Sequence, residues 1–441
     1  MLQFYNSLTG IKEEFFPLNN AQVNIYVCGP TVYDHLHIGN IRSLIFFNLL
    51  KKYLLSIGFK VFLVVNITDL DDKIIQVAIQ NKSTEEQIAD YYKKQFFHLL
   101  DKLDIHEINK FPSVTCYIDQ MIAYINLLLE KKYAYLTNEG VYFCNKNIVN
   151  YGCLSGQKIN KLYKNINNKN VFLKHNSEDF VLWKKTNIGI RYFSPWFLGR
   201  PGWHTECVVM IREIFRNTID IHGGGHDLKF PHHENEQAQF MASEGKPLAR
   251  YFMHIGHVNY NNHKMSKSLK NVVLAKDLLT EIKDPNIIKF FFCHFHYLKP
   301  INYTKELINE IQIKYFKIVK ILNKVNFKLI INNVYNYEMN KIYLQQMHQF
   351  MQNDMDTPNI ITLIEQILKN IFKNINNNLS LLSELHYTLI YILKNLDISI
   401  VLNNVTEQMI EYYYLWQQAK NLKDFNQADF FRNILLQQNF I

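Results

Sequence analysis

Val23-Asn24-Ile25-Tyr26-Val27-Cys28-Gly29-Pro30, read together with the apolar stretches Ile38–Leu55 and Lys60–Ile67 that follow it, decides the fold. The first run is short and apolar and stops at Gly29-Pro30. The second repeats its apolar residues at helical spacing, and the third reads as a buried strand. Strand, helix, strand in this order is a βαβ unit, whose loops at the carboxyl ends of the strands carry the site. A second set lies downstream, with a strand at Thr218–His222, a helix at His232–Ser243 and a strand at Tyr251–Ile255. Residues 84–200 bring helices of their own, Thr84–Leu103 and Ile118–Lys132, so one α/β fold interrupted by an insertion is expected. Within that insertion, the Lys- and Asn-rich Ile159–Asn170 reads as a solvated loop.

Glycine divides the chain. All 15 glycines lie at or before Gly256, and the residues beyond it have none. Strands and turns need glycine at positive φ, whereas helix bundles do without it. From about Thr304 onward apolar residues recur at helical spacing. The expected organisation is therefore an α/β domain in two halves, 1–83 and 201–300, an insertion at 84–200, and an all-α region at 301–441.

With 441 residues, about three domains of about 150 each are expected. A hydrophobic fraction of 48% and a charged fraction of 20% supply a sizeable core. No stretch reaches the roughly 18 uninterrupted apolar residues of a membrane span, and the start, Met1-Leu2-Gln3-Phe4-Tyr5, does not read as a secretory signal. A cytoplasmic protein acting as a monomer, with no membrane partner, is the expectation. The net charge of +9 allows an anionic partner such as nucleic acid. Only seven of the 48 basic residues are Arg, and a Lys-, Asn- and Ile-rich skew also follows from A/T-biased codons, so the basicity carries half its face value. Six cysteines at 28, 116, 144, 153, 207 and 293 form no CxxC pair; this is a reduced protein in which one or two thiols serve as ligands.

Four segments carry chemistry. Cys28-Gly29-Pro30-Thr31-Val32-Tyr33-Asp34-His35-Leu36-His37-Ile38-Gly39-Asn40 joins strand to helix, where backbone amides favour an anion and His37 can donate to phosphate oxygens. The same segment reads equally well as an ordinary turn with a capping histidine. In Lys264-Met265-Ser266-Lys267-Ser268, two lysines three apart can close over a triphosphate, although a solvated surface loop has the same composition. His204-Thr205-Glu206-Cys207 and the glycine-marked Ile221–Asp227, leading into His232-His233-Glu234-Asn235-Glu236, concentrate metal-ligand types. His232 and Glu236 share a helix face, and with Cys207 and Cys28 they make a set suited to zinc. Neither the Pro-Cys-x-x-Cys of zinc deaminases nor the Gly-Lys-Ser/Thr of a P-loop is present.

The HIGH-like His37-Ile38-Gly39-Asn40 and the intact KMSKS string are the paired signatures of class I aminoacyl-tRNA synthetases. Tyr26–Asp34, Asn66–Lys73, Gly199–Cys207 and Phe230–Glu236 resemble the cysteinyl-tRNA synthetase family in particular, over residues 1 to about 435. The resemblance implies a Rossmann-like catalytic domain interrupted by an insertion and followed by an all-α tRNA-binding bundle. It implies an activity: ATP-dependent formation of cysteinyl-adenylate and transfer of cysteine to the 3′ end of tRNA-Cys. It implies one zinc per chain, held by Cys28, Cys207, His232 and Glu236, with ATP and magnesium as substrate. His37, Lys264 and Lys267 would be catalytic, His37, Lys267 and Asp227 near ATP, and Thr68, Trp203 and His222 near the amino acid. Four protein ligands ordinarily close a zinc site, so one must be weak or the ion must take a fifth, and Glu236 is the candidate for the weak one.

Three departures stand out: Asn40 in place of the last HIGH histidine, His226 after Gly225, and Lys270 where a glycine-containing string usually follows KMSKS. The chain also stops at Ile441, short of the tail with which the family helps read the anticodon. Two other readings compete: a cysteine ligase with a small amine acceptor, and a non-catalytic zinc and tRNA binder.

Overall fold

In a computed structural model that describes residues 1–20, 22–156, 174–265 and 271–441, the chain forms two compact units. The first comprises Gln3–Lys283 with Tyr297–Asn302. It opens with a hairpin of β1 (Gln3–Asn6) and β2 (Ile11–Glu14). The βαβ unit follows as β3 (Gln22–Val27), α1 (Ile38–Ser56) and β4 (Lys60–Val65). Next come α2 (Asp72–Asn81), α3 (Glu85–Lys102) and α4 (Ile118–Glu130). An antiparallel sheet of β5 (Ala134–Leu136), β6 (Gly140–Phe143), β7 (Phe180–Lys185) and β8 (Gly199–Pro201) leads to α5 (Trp203–Phe215). The parallel sheet then resumes with β9 (Ile219–Gly225), α6 (Glu234–Glu244) and β10 (Ala249–Ile255). A hairpin of β11 (Val258–Tyr260) and β12 (His263–Lys264) and the helix α7 (Ala275–Ile282) follow.

The four parallel strands pair in the order β10-β9-β3-β4. The insertion therefore separates β4 from β9 in sequence while β9 lies beside β3 in space. Both faces of this sheet are covered, which is why its strands read as apolar runs and not as alternation. Val23, Ile25, Tyr26 and Val27 are fully buried, as are Leu63 and Val64. The glycines of β9 have a packing role: a Cβ at Gly223 would stand 2.0 Å from the Phe47 ring of α1, so only glycine lets that helix close on the sheet.

The expected helix at His232–Ser243 begins later than its sequence suggests. Lys229–His233 forms a π turn with extended backbone at Phe230 and a cis bond before Pro231, and regular α-helix starts at Glu234. Proline cannot donate to a helical ladder, so the regular element begins beyond it.

The second unit comprises Asp284–His296 and Tyr303–Ile441 with Met1–Leu2. Its helices are α8 (Pro285–Cys293), α9 (Lys305–Ile331), α10 (Lys341–Gln352), α11 (Thr357–Asn374), α12 (Leu379–Asn395), α13 (Glu407–Leu422) and α14 (Phe425–Gln437). Asp284, Thr304, Asn340, Asp356, Asn378, Thr406 and Asp424 cap them, each accepting from a backbone amide of the first turn. Between α8 and the end of α12, Lys289 and Asp397 pair at 3.1 Å with both side chains buried. None of the helices is long and apolar enough to cross a membrane, among the described residues.

Candidate functional site

Cys28 leaves the end of β3, Cys207 lies in α5, His232 in the π turn and Glu236 in the first turn of α6. Their ligand atoms all lie within 4.8 Å of one another. Cys28 Sγ is 3.6 Å from Cys207 Sγ and 3.8 Å from Glu236 Oε1. His232 Nε2 is 3.7 Å from Cys207 Sγ and 2.8 Å from Glu236 Oε1. Two sulfurs at about 2.3 Å from a tetrahedral ion stand about 3.8 Å apart, so the thiol pair fits zinc, and two soft donors beside an imidazole favour it chemically. Cys207, His232 and Glu236 are buried, while Cys28 is half-buried and faces the cleft. An overlapping set of Cys28, His222, His233 and Glu236 meets the same distance limit but has only one thiol.

A second layer holds these groups. His222 lies behind the cluster, fully buried, with Nε2 2.6 Å from Glu236 Oε2 and Nδ1 3.1 Å from the Tyr26 carbonyl. It orients the carboxylate by the oxygen that faces away from the thiols. The Trp203 indole stacks on the His232 ring at 4.1 Å, and His204 Nδ1 lies 3.0 Å from His232 Nδ1. Burial would lower the His232 pKa, but the Glu236 carboxylate outweighs it and raises the value to about 10. Burial likewise opposes ionisation of Glu236, yet His232 and His222 hold it well below the usual carboxylate range. Burial pushes both thiols up; for Cys207 the hydrogen bonds from Cys28 and His232 win and bring it down to about 7, whereas Cys28 stays well above its ordinary value. His204, isolated by burial, is lowered to about 3.

The cluster forms the floor of a cleft of about 540 Å³ at the carboxyl ends of β3, β4 and β9. His37, Thr68, Trp203 and Asp227 line the same cleft as Cys28, Cys207 and His232. Thr68 is buried and accepts from Asn66 Nδ2 at 3.2 Å. His37 is the N-cap of α1: its Nδ1 accepts from Gly39 N at 3.0 Å, which makes Nε2 the protonated, donating nitrogen. The amides expected to cradle an anion are engaged within the protein. Ile38 N donates to the Val273 carbonyl, Gly39 N to His37 Nδ1 and Asn40 N to the His37 carbonyl. Donor capacity at this helix start therefore lies on the His37 side chain.

The fold thus brings together nine of the singled-out residues, with His222 and Glu236 behind the cleft surface and the others on it. Lys267 lies outside the described residues, as does the Ile159–Asn170 loop; of Lys264 only the backbone is described, paired with Asn259 across the β11–β12 hairpin. Sequence reasoning missed Asn66 and Gly29. Asn66 Oδ1 accepts from Gly29 N at 2.8 Å, and a Cβ at Gly29 would stand 1.8 Å from the Asn66 carbonyl oxygen. The only signal was that both residues lie inside strings already singled out. Asn40, noted as a departure, accepts from His37 N at 3.1 Å and completes a capping box.

A parallel sheet with its cleft at the strand ends, a two-thiol cluster on the floor and a histidine-capped helix beside it place the chain among doubly wound α/β proteins that carry their site at the strand ends. Solved class I synthetases share this fold. Methionyl-tRNA synthetase of Mycobacterium tuberculosis, in complex with methionyl-adenylate, superposes with a TM-score of 0.62 at 11% identity, covering 86% of this chain and 90% of the other. The family model of the class I (C) tRNA synthetase catalytic domain matches residues 14–313. The cysteine–tRNA ligase of Aster yellows witches'-broom phytoplasma (strain AYWB) is 48% identical over 441 residues, 100% of both chains. That of Acholeplasma laidlawii (strain PG-8A) is 42% identical over 441 residues, again 100% of both. The chain belongs to the cysteine–tRNA ligase family.

Proposed function

We propose that the chain activates L-cysteine with ATP and transfers it to the 3′-terminal adenosine of tRNA-Cys, with the cleft above Cys28, Cys207, His232 and Glu236 as its active site. The observation that carries this reading is a two-thiol donor set at the floor of a cleft that the His37-capped helix flanks. When bound, a zinc ion supplies selection of a thiolate over an alcohol, a distinction that shape alone makes poorly because cysteine and serine differ by one atom. His222 keeps Glu236 turned toward that set, and Trp203 fixes the His232 ring plane.

In the first step the substrate carboxylate attacks the α-phosphorus of ATP and pyrophosphate leaves, so no protein nucleophile is required. His37 Nε2–H donates to phosphate oxygen, Lys264 and Lys267 offset charge on the departing pyrophosphate, and Asp227 accepts from the ribose. Thr68, held by Asn66, contributes to the amino-acid pocket. In the second step the tRNA hydroxyl takes the cysteinyl group and AMP leaves. The helical unit grips tRNA with its lysines. Exchange of labelled pyrophosphate into ATP tests the first step. Cysteine should drive it, and serine at equal concentration should be at least about a hundredfold poorer; equal rates for the two amino acids contradict the assigned selection.

A further inference from the structure

A narrow side crevice opens off the cleft wall, sharing Pro30, Thr31, Asp34, His35 and Leu36 with it. Its far side belongs to α3 and α7, which line it with Tyr92, Lys102 and Lys276. Two of its lining rings, His35 and Tyr92, meet nearly edge-to-face, and Tyr91 packs beside them on the same helix as Tyr92. His35 lies 5.3 Å from Tyr92 at 82°, and Tyr92 lies 5.0 Å from Tyr91 at 83°. Tyr91 is 52% exposed. Both lysines are exposed, and the proposed chemistry of the cleft uses none of these α3 and α7 side chains.

Aromatic rings flanked by ammonium groups are what single-stranded nucleic acid recognises: bases stack on the rings and the phosphates meet the charges. Rings that pack against one another lose little freedom on stacking a base, because their rotamers are already fixed. Continuity with the cleft selects the occupant. An acceptor hydroxyl has to reach the cleft floor, and the unpaired nucleotides behind it need a surface that is both flat-faced and basic.

The geometry points to Tyr91, Tyr92 and His35, with Lys102 and Lys276, as the track that carries the unpaired 3′ nucleotides of tRNA into the cleft. This inference rests on the ligase reading above. Tyr91→Ala and the double variant Lys102→Glu/Lys276→Glu, made in the full chain, test it. Cysteine-dependent pyrophosphate exchange should stay within about twofold of wild type in both, which also reports an intact fold. The KM for tRNA in charging should rise about fivefold or more, Tyr91→Phe should restore it, and the lysine variant should flatten the salt dependence of KM. Unchanged KM and salt dependence in both variants, with wild-type protein charging normally, overturn the track alone. A wild-type chain that exchanges pyrophosphate but charges no tRNA overturns the transfer reading, and the track with it.

Discussion

Cys207 is the buried thiol of the cluster and faces both Cys28 and His232. Replacing sulfur by oxygen leaves a harder and poorer ligand. Cys207→Ser should lower the zinc content of freshly prepared protein well below the roughly one ion per chain expected of wild type. Elemental analysis reads this directly, and full zinc occupancy in the variant would remove Cys207 from the ligand set. Gly29 makes a second demand at this scale. With 1.8 Å between an added Cβ and the Asn66 carbonyl oxygen, and backbone on both sides, relief requires the β3 and β4 ends to part. Gly29→Ala should cost at least about 2 kcal/mol in thermal or denaturant unfolding. A melting midpoint equal to wild type would mean that these strand ends are not rigid. Both residues lay in strings that sequence alone marked as chemical, but what makes Gly29 obligatory is a carbonyl 37 positions away, which no local pattern encodes.

Among the elements, α12 carries a pH liability in His386. The side chain is fully buried, and neither ring nitrogen has a hydrogen-bond partner among the described residues. Burial holds its pKa down to about 4. The unfolded chain, in which the ring titrates near its ordinary value of about 6.5, takes up the proton first as the pH falls. This contribution is complete above about pH 6.5 and is lost toward pH 4. Melting midpoints at pH 7.5 and pH 5 should therefore fall further for wild type than for His386→Leu; parallel falls would show that the ring is hydrated in the folded chain. On α1, Asn40→Ala removes half of the capping box and should cost about 1 kcal/mol, whereas Asn40→Ser should restore part of it. Equal stability of the alanine variant would show that this bond contributes nothing to the helix. Elements such as α1, β3, β4, β9 and β10 were legible because parallel strands and buried helices write continuous apolar runs. The π turn before α6 was not, since the apolar and ligand-type residues around Pro231 read as helix from His232, whereas Phe230 is extended and the regular helix starts only at Glu234. The Lys289–Asp397 pair was equally hidden, joining positions more than a hundred residues apart.

On the scale of the whole molecule, the chain forms two units whose compositions differ as their architectures do. Glycine-bearing turns and the cleft lie in one, and a lysine-rich set of capped helices in the other. Residues Asp284–His296 belong with the helices although they precede the all-α stretch that spacing alone marks, because the apolar face of α8 (Ile287, Ile288, Phe290, Phe291) is buried. The family and reaction were legible because their motifs are short strings, each tied to a local turn; the order in which β9 returns beside β3 follows only from the fold. Charging tRNA with labelled cysteine before and after chelation reads whether cysteine is selected at a metal-bound donor set and delivered to tRNA. Metal-stripped protein should lose charging and recover it on addition of zinc. Undiminished charging by protein shown to be free of metal would rule out selection at a metal-bound site.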